Sequence, residues 1–335
     1  MAEVEWFRRL GPPAPARFPA ELDRLASEQS GLVTRTQCLD SGLSGKAVEV
    51  RLANGRWRRV QHGVYLTTPG RDDWWTSATA AHLACGPDAA WSHHTAAFVW
   101  GLIHSPPRQL ELLVPRDFAV RPPRGATVRR RRDLDSQVDQ LWWPWVTSAE
   151  DTILDLAESV EIDELFALLG RAFQRQRTSE AVLLSHLADR SRHARRDLLR
   201  EVLGDVASGA ESTMEVRYVR DVERAHGLPR GERQVSASPT SAARHDIGYR
   251  DQLVLVELDG ELGHEGRGAR IRDGRRDRRG ATTGWLTARA FWPDVLDPCA
   301  LANEVGAILQ TRGWSGEPRT CRRRPCLVRG GGQGR

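Results

Sequence analysis

The stretch Leu253-Val254-Leu255-Val256-Glu257-Leu258-Asp259-Gly260 decides the fold of the C-terminal half of the chain. Its apolar run predicts a buried strand that ends in two carboxylates. Because side chains alternate along a strand, Glu257 and Asp259 lie on one face. A second predicted strand, over residues 244–249, carries Asp246 to the same place. Three buried acids repel one another, so their clustering predicts a divalent-cation site formed by Asp246, Glu257 and Asp259.

The segments before this strand complete an α/β arrangement. Apolar residues at helical spacing predict a helix that carries Glu215 and ends at Gly227-Leu228-Pro229. A short strand is predicted over residues 232–235, ahead of the strand that contains Asp246. The order helix, hairpin and buried strand therefore concentrates the acids in one region of the fold.

This order of residues resembles the PD-(D/E)XK nuclease superfamily and, within it, the very-short-patch-repair (Vsr-like) endonuclease branch. The motif that carries the resemblance is the strand ending Asp259-Gly260-Glu261-Leu262-Gly263-His264. The similarity covers about residues 210–310 and implies a restriction-endonuclease-like mixed sheet flanked by helices. Asp259 stands where the superfamily has a lysine, and the Vsr-like branch also lacks that lysine. The resemblance therefore implies a variant active site.

Phosphodiester hydrolysis is the chemistry that these residues suggest. Mg²⁺ or Mn²⁺ held by Asp246 and Asp259, with help from Glu257, would polarise the scissile phosphate and activate a bound water. His264 would act as general base or as leaving-group acid, and Glu215 would orient the water or a second ion. The downstream arginines predicted to bind DNA are Arg272 and Arg276. The open alternative is that the acids form salt bridges with neighbouring arginines in a fold that has lost catalysis.

The N-terminal part of the chain has the pattern of a winged helix-turn-helix. Apolar spacing predicts a first helix that ends by Gly31, a second over residues 35–40 capped by Thr34, and a third over residues 45–53. Two strands around residues 61–63 follow as a hairpin. In such a module the third helix enters the major groove of DNA and the hairpin, or wing, lies along the backbone.

Basic residues fall on the two elements that would contact DNA. They are Lys46, Arg51, Arg56, Arg58 and Arg59. Lys46 and Arg51 lie on the third helix and the other three on the wing, a density that favours double-stranded DNA as the partner. The alternative left open is a protein-docking winged helix, in which these arginines form a solvated face.

The first part of the chain also resembles the AbiEi-type antitoxins of abortive-infection toxin–antitoxin systems. The residues that carry this resemblance, within residues 22–70, are Leu25-Ala26, Gly31, Thr34, Trp57 and Gly63-Val64-Tyr65. The resemblance implies binding to the protein's own promoter and a cognate nucleotidyltransferase toxin as a partner. Its combination with a Vsr-like domain is similar to a class of actinobacterial proteins.

We expect an α+β protein of several parts, with boundaries where the composition changes. The predicted parts are a flexible arm (1–17), the winged helix (18–70), a Trp-rich AbiEi-like middle domain (71–150), a helical connector (151–208), the Vsr-like nuclease-fold domain (209–317) and a basic flexible tail (318–335). In the middle domain we interpret His93-His94 as core or capping residues. The run Arg129–Arg132 fits a solvated strand end at least as well as a phosphate contact.

Composition excludes several classes of protein. The 335 residues contain no apolar run long enough to cross a bilayer and no apolar signal core, so we expect a cytoplasmic protein without a membrane partner. No phosphate-binding loop of the Walker type occurs, so no nucleotide cofactor is expected. The formal charge of +5 is weak support for DNA binding, because Lys46 is the only lysine and arginine is abundant throughout.

The cysteines are too few for a disulfide framework in a chain of this length. Three of the five, Cys299, Cys321 and Cys326, lie in the C-terminal region. These three could bind zinc, but the spacing Cys321-x4-Cys326 is a weak indication of such a site, and unpaired thiols fit it better.

Two functions therefore compete. In the first, the winged helix places a metal-dependent endonuclease on DNA. In the second, the chain is a non-catalytic DNA-binding antitoxin or transcriptional autoregulator, and its nuclease fold is degenerate.

Overall fold

The computed structural model divides into two compact units, residues 1–159 and 160–335. Both units contain helices and sheets, so the predicted α+β class is confirmed. The residues that the structure describes are 9–10, 14–68, 73–139, 142–208, 212–235, 245–259, 278, 281–323 and 325–328. Most of the predicted N-terminal arm lies outside them. Arg9–Leu10, which is described, pairs antiparallel with Trp142–Trp143.

The first unit opens with the three helices and the hairpin that the sequence predicts. They are α1 (Leu22–Glu28), α2 (Arg35–Asp40), α3 (Gly45–Ala53), β2 (Arg58–Gln61) and β3 (Val64–Leu66). One element was not expected, the three-residue strand β1 (Leu32–Thr34) between α1 and α2. It pairs antiparallel with β3, which gives a sheet of order β1-β3-β2. This is the arrangement of a winged helix.

Local capping explains the helix boundaries. The Thr34 side chain accepts a hydrogen bond from the Gln37 N–H, and the Gln37 side chain in turn accepts one from the Thr34 N–H. This capping box begins α2, while the Ser44 hydroxyl accepts from the Ala47 N–H and begins α3. Gly31 ends the loop after α1 at a φ of +80°, where a side chain would be strained.

A five-stranded sheet follows in the same unit. Its elements are α4 (Trp74–Cys85), β4 (Ala90–Trp91), α5 (His93–Val99), β5 (Leu110–Pro115), β6 (Ala126–Arg131), β7 (Val138–Asp139), β8 (Val146–Thr147) and α6 (Ala149–Ala157). The strand order is β6-β5-β4-β8-β7. Trp74 and Trp75 cross edge-on with ring centroids 4.9 Å apart and pack beside Trp91. Tryptophan thus contributes to this core, as the composition suggested.

The histidine pair and the basic run of this region form local contacts. His94 Nδ1 lies 2.8 Å from Glu111 Oε2, and Arg129 lies 3.2 Å from the other oxygen of Glu111. Arg131 lies 2.9 Å from Asp155, a carboxylate that is almost fully buried. These contacts agree with the interpretation of His94 as a structural residue and leave Arg129 and Arg131 in ion pairs.

The winged helix and this region share apolar packing. Leu32, Val64 and Leu66 of the winged-helix sheet form a buried cluster with Ala80 of α4. The sequence set a boundary at residue 70, but both parts lie in one compact unit. Helix α6 also belongs to this unit, although most of it falls in the predicted connector, 151–208.

The second unit combines helices with a mixed four-stranded sheet. Its elements are α7 (Ile162–Gln174), α8 (Glu180–Asp189), α9 (Arg196–Ser208), α10 (Ser212–Arg217), a π-helical segment (Tyr218–Arg224), β9 (Glu232–Val235), β10 (His245–Tyr249), β11 (Val254–Asp259), β12 (Leu286–Phe291), α11 (Trp292–Leu296) and α12 (Pro298–Thr311). The strand order is β9-β10-β11-β12. The first three strands are antiparallel, and β12 runs parallel to β11.

The predicted buried strand is at the centre of this sheet. Val254, Leu255 and Val256 of β11 are fully buried. The residues from 318 onward, expected to be a mobile tail, return to the unit in the part that is described, 318–323 and 325–328. The Arg319 N–H donates to the His226 carbonyl over 2.8 Å, and Val328 is buried. Among the residues that the structure describes, no helix is long and apolar enough to span a membrane.

The capping box at Thr34 gives a first testable prediction. Thr34→Ala removes the acceptor for the Gln37 N–H and should lower the free energy of unfolding of the first unit by about 1 kcal/mol. Urea denaturation followed by circular dichroism measures this change. Thr36→Ala, an exposed position in the first turn of the same helix, is the matched control. Equal stability of the two variants would contradict the capping role.

Candidate nucleic-acid interface and carboxylate cluster

The recognition helix α3 is buried on one side and exposed on the other. Val48 is fully buried against Leu25, Val33 and Cys38 in the core of the winged helix. Lys46, in the first turn of α3, is exposed. Val50 is also half exposed, at 53%. The outward face of α3 therefore combines a cation with an apolar side chain, both available to a partner.

Arg51, the second predicted DNA contact on α3, is held against the module itself. Its Nη1 donates to the Ala47 carbonyl at 3.0 Å, and its guanidinium lies 5.4 Å from the centroid of the Trp57 ring. Trp57 in turn stacks on Tyr65 of β3, with centroids 6.2 Å apart. Arg51 thus caps an aromatic stack that joins α3 to the wing.

Glu49 adds a negative charge to the same face. Its Oε1 lies 3.8 Å from Arg35 and 4.0 Å from Arg59, and all three side chains are about half exposed. Exposed ion pairs of this kind contribute little to stability. Arg59 also lies 6.0 Å from the ring centroid of Tyr65.

The wing carries the remaining predicted DNA contacts. Arg56 lies in the turn before β2, Arg58 begins β2, and both are exposed. At the end of β2, the Gln61 side chain donates to the Arg124 carbonyl at 3.0 Å and accepts from the Arg124 N–H at 2.9 Å. This pair of bonds fixes the wing to the chain segment just before β6.

The carboxylate cluster of the second unit is built on β10 and β11. The antiparallel register pairs Ile247 with Val256, and continuing it places Asp246 opposite Glu257. One Asp246 oxygen accepts a hydrogen bond from the Leu258 N–H at 2.7 Å. Asp246 is therefore tied to the backbone of the strand that carries the other predicted ligands.

Glu257 has a histidine and an arginine as neighbours. Its Oε1 lies 2.6 Å from His245 Nδ1, and its Oε2 lies 3.3 Å from Arg289, its register partner on β12. His245 and Glu257 are both largely buried. Neither partner was assigned to the site from the sequence. His245 immediately precedes Asp246, and alternation along a strand would have directed it to the opposite face.

Glu215, predicted from the helix before the sheet, joins the cluster from α10. Its carboxylate accepts hydrogen bonds from Arg233 at 2.8 Å and from Gln234 at 3.3 Å, both on β9. Burial raises the pKa of the Asp246 carboxyl above its usual range. The Leu258 N–H opposes this rise, while the negative charges of Glu215 and Glu257 add to it. The three acids are therefore close enough to interact electrostatically.

Of the remaining residues predicted for this site, the structure describes Asp259 and not the other three. Asp259 ends β11, two residues after Glu257, in register with Phe291. Three predicted site residues, His264, Arg272 and Arg276, lie outside the described residues. Among the predicted acids, Glu215 and Glu257 both act electrostatically on Asp246.

The residues that lie at metal-ligand distances from one another are a different set. Among the described side chains, His226, Cys299, Cys321 and Cys326 form such a group, with one ligand atom of each within 4.8 Å of the others. The sequence favoured unpaired thiols for these cysteines. It missed the group because His226 is distant in sequence and is brought to the cysteines only by the fold.

The raised pKa of Asp246 predicts a pH-dependent stability. Because the carboxyl binds its proton more tightly in the folded state, its ionisation lowers stability at neutral pH. This cost is lost as the pH falls through the folded pKa towards the unfolded value of about 3.9. Asp246→Asn, which can still accept from the Leu258 N–H, should raise the Tm at pH 7, and the gain should vanish near pH 4.

Thermal unfolding across this pH range measures the difference between the two proteins. Asp251→Asn, an exposed acid in the turn after β10, is the control for loss of one negative charge. A lower Tm for Asp246→Asn than for the wild type at pH 7 would mean that the charged carboxylate stabilises the fold.

A comparison with known families gives a match in the winged helix. Residues 20–68 match the family model AbiEi_4, described as transcriptional regulator, AbiEi antitoxin. No curated protein matches the chain. The family match ends where the winged helix ends and makes no statement about the second unit. By this match the winged helix is similar to that of AbiEi antitoxins, which supports a DNA-binding regulator in a toxin–antitoxin context.

Proposed function

We propose that the chain is a transcriptional regulator that binds duplex DNA, with α3 in the major groove and the wing along the phosphate backbone. The observation that carries the proposal is the winged helix of residues 20–68, whose exposed side bears Lys46 on α3 and Arg56 and Arg58 on the wing. Cations on those two elements are what a winged helix needs for phosphate contacts.

The five predicted DNA-binding residues take two roles in this proposal. Lys46, Arg56 and Arg58 contact phosphates. Arg51 and Arg59 also shape the surface, because Arg51 lies over Trp57 and donates to the Ala47 carbonyl, and Arg59 lies beside Glu49 and Tyr65. Substituting Arg51 or Arg59 should therefore change the position of α3 and the wing more than the number of counterions that are released when DNA binds.

The toxin–antitoxin context supplies the expected target and partner. An antitoxin that regulates its own expression binds its own promoter, and its partner is a cognate toxin. We propose both for this chain on the strength of the family match.

The DNA-binding role predicts how affinity responds to charge and salt. Arg58→Glu should weaken binding to the promoter fragment, and Arg58→Ala should reduce the slope of log K against log salt concentration by about 1. Fluorescence anisotropy with labelled duplex, titrated at several salt concentrations, measures both values.

Arg108→Glu makes the same charge change at an exposed position outside the winged helix and is the control. If Arg58→Glu and the wild type bind DNA equally, the winged helix acts as a protein-docking module instead.

A second candidate function is metal-dependent hydrolysis of DNA by the second unit. The observation that favours it is the convergence of Glu215, Asp246 and Glu257: burial raises the pKa of the Asp246 carboxyl, and the charges of Glu215 and Glu257 add to this rise. Carboxylate oxygens are the ligands that Mg²⁺ and Mn²⁺ take, and a cation would relieve the mutual repulsion of these acids. When bound, the ion would polarise the scissile phosphate and activate a water. A mixed sheet with the acids on its central strands also agrees with the nuclease resemblance.

The chain's own residues would hold this site in order. Asp246 is fixed by the Leu258 N–H, and His245 and Arg289 hold the two oxygens of Glu257. The same ion pairs favour the non-catalytic alternative, because two of the three acids already have cationic partners within the fold. An active site must exchange some of these contacts for the ion.

Cleavage of supercoiled plasmid with Mg²⁺ or Mn²⁺ distinguishes the two candidates. If the second unit is a nuclease, the wild type nicks the plasmid, Asp246→Ala does not, and both bind the promoter fragment equally well. Asp251→Asn, the exposed acid, should cleave like the wild type. A wild type that binds DNA but leaves the plasmid intact, with or without metal, identifies the protein as a regulator only.

A further inference from the structure

We propose that His226, Cys299, Cys321 and Cys326 bind one structural Zn²⁺, which fixes the C-terminal segment to the second unit. One ligand atom of each residue lies within 4.8 Å of the others. Three sulfurs and one imidazole nitrogen form a typical ligand set for structural zinc. The inference does not depend on the proposed function, because none of the four residues belongs to the winged helix or to the carboxylate cluster.

The distances between the ligand atoms fit a tetrahedral ion. The sulfurs of Cys299 and Cys321 are 3.7 Å apart, and Cys326 Sγ lies 3.8 Å from His226 Nε2. With Zn–S bonds of about 2.3 Å, two sulfurs at the corners of a tetrahedron are about 3.8 Å apart. A disulfide bond is about 2.05 Å long, so the sulfurs of Cys299 and Cys321 are much too far apart to be bonded. The side chains therefore stand around a central point with room for an ion.

His226 is oriented for this role by its other ring nitrogen. The ring is fully buried, and Nδ1 lies 3.2 Å from the Val222 carbonyl, to which its N–H donates. That bond leaves the lone pair on Nε2, the nitrogen that faces Cys326. Metal-binding histidines are held in this way by a carbonyl or carboxylate on the far nitrogen.

Backbone N–H groups point at the sulfurs. The Cys321 N–H donates to Cys326 Sγ and the Arg323 N–H donates to Cys321 Sγ, each over 3.4 Å. N–H donors directed at a sulfur stabilise its thiolate, the form that binds metal.

The ligands come from three separated parts of the chain. His226 follows the π-helical segment, Cys299 lies in the first turn of α12, and the other two lie in the C-terminal segment 318–328. That segment packs closely on the unit, since a Cβ added to Gly306 would lie 2.3 Å from a side-chain carbon of Pro318. With four protein ligands the ion has no open position for a water or a substrate, so its role is structural.

Metal analysis of the full-length protein, purified without chelator, tests the proposal. We expect about one zinc per chain by mass spectrometry. Cys326→Ala and Cys321→Ala should lose it, while Cys85→Ala, a buried cysteine of the first unit, should keep it. Limited trypsin digestion should cleave after Arg322 or Arg323 in the two zinc-free variants and spare these sites in the zinc-bound wild type.

Co²⁺ provides a spectroscopic readout on the wild-type protein itself. Co²⁺ exchanged into the wild type should give the visible bands of a tetrahedral thiolate site, and Cys326→His should shift them by replacing one sulfur with nitrogen. Three outcomes would overturn the proposal: wild-type protein without zinc, Co²⁺ without these bands, or a disulfide between Cys299 and Cys321 in freshly purified protein.

Discussion

The second unit depends on the antiparallel pairing of β10 with β11. This register buries Val254, Leu255 and Val256 while it brings Asp246 to Glu257. A slip of one residue would place Asp246 opposite a residue other than Glu257 and turn the acids of β11 to the opposite face. The hydrogen bond from the Leu258 N–H to Asp246 continues the connection beyond the paired residues. The same pairing therefore specifies both the core and the carboxylate cluster.

Bringing acids together obliges the surrounding sequence to supply partners. His245 and Arg289 lie at Glu257, and Arg233 lies at Glu215. Removing one member of such a pair from a largely buried site leaves an uncompensated charge, which is costly. These partners explain how the cluster can exist in a folded protein. A cation that binds there would have to replace some of these ion pairs, and their loss would reduce the free energy of cation binding.

The sequence predicted the bounds of the helices better than the contacts between residues that are distant in sequence. Thr34 and Ser44 are caps that act within three residues, so the bounds of α2 and α3 follow from local chemistry. Strand β1 is only three residues long and depends on pairing with β3, for which no local signal exists. Alternation along β11 correctly grouped its acids. It could not place His245, the first residue of β10, because alternation directs that side chain to the face opposite Asp246.

The metal-ligand group shows the same limit more clearly. Cys321 and Cys326 are close in sequence, but Cys299 and His226 reach them only through the packing of α12 and of the chain after the π-helical segment. The sequence therefore gave the three cysteines as candidates and no reason to connect them with a histidine.

The two hydrogen bonds between Gln61 and Arg124 have a consequence for association with a partner. A hairpin that protrudes from a small module normally loses conformational freedom when it binds, and that loss reduces affinity. Here the end of β2 is already joined to the segment that leads into β6 of the same compact unit. The ordering of the wing takes place when the unit folds, so a partner meets a surface whose shape is set in advance.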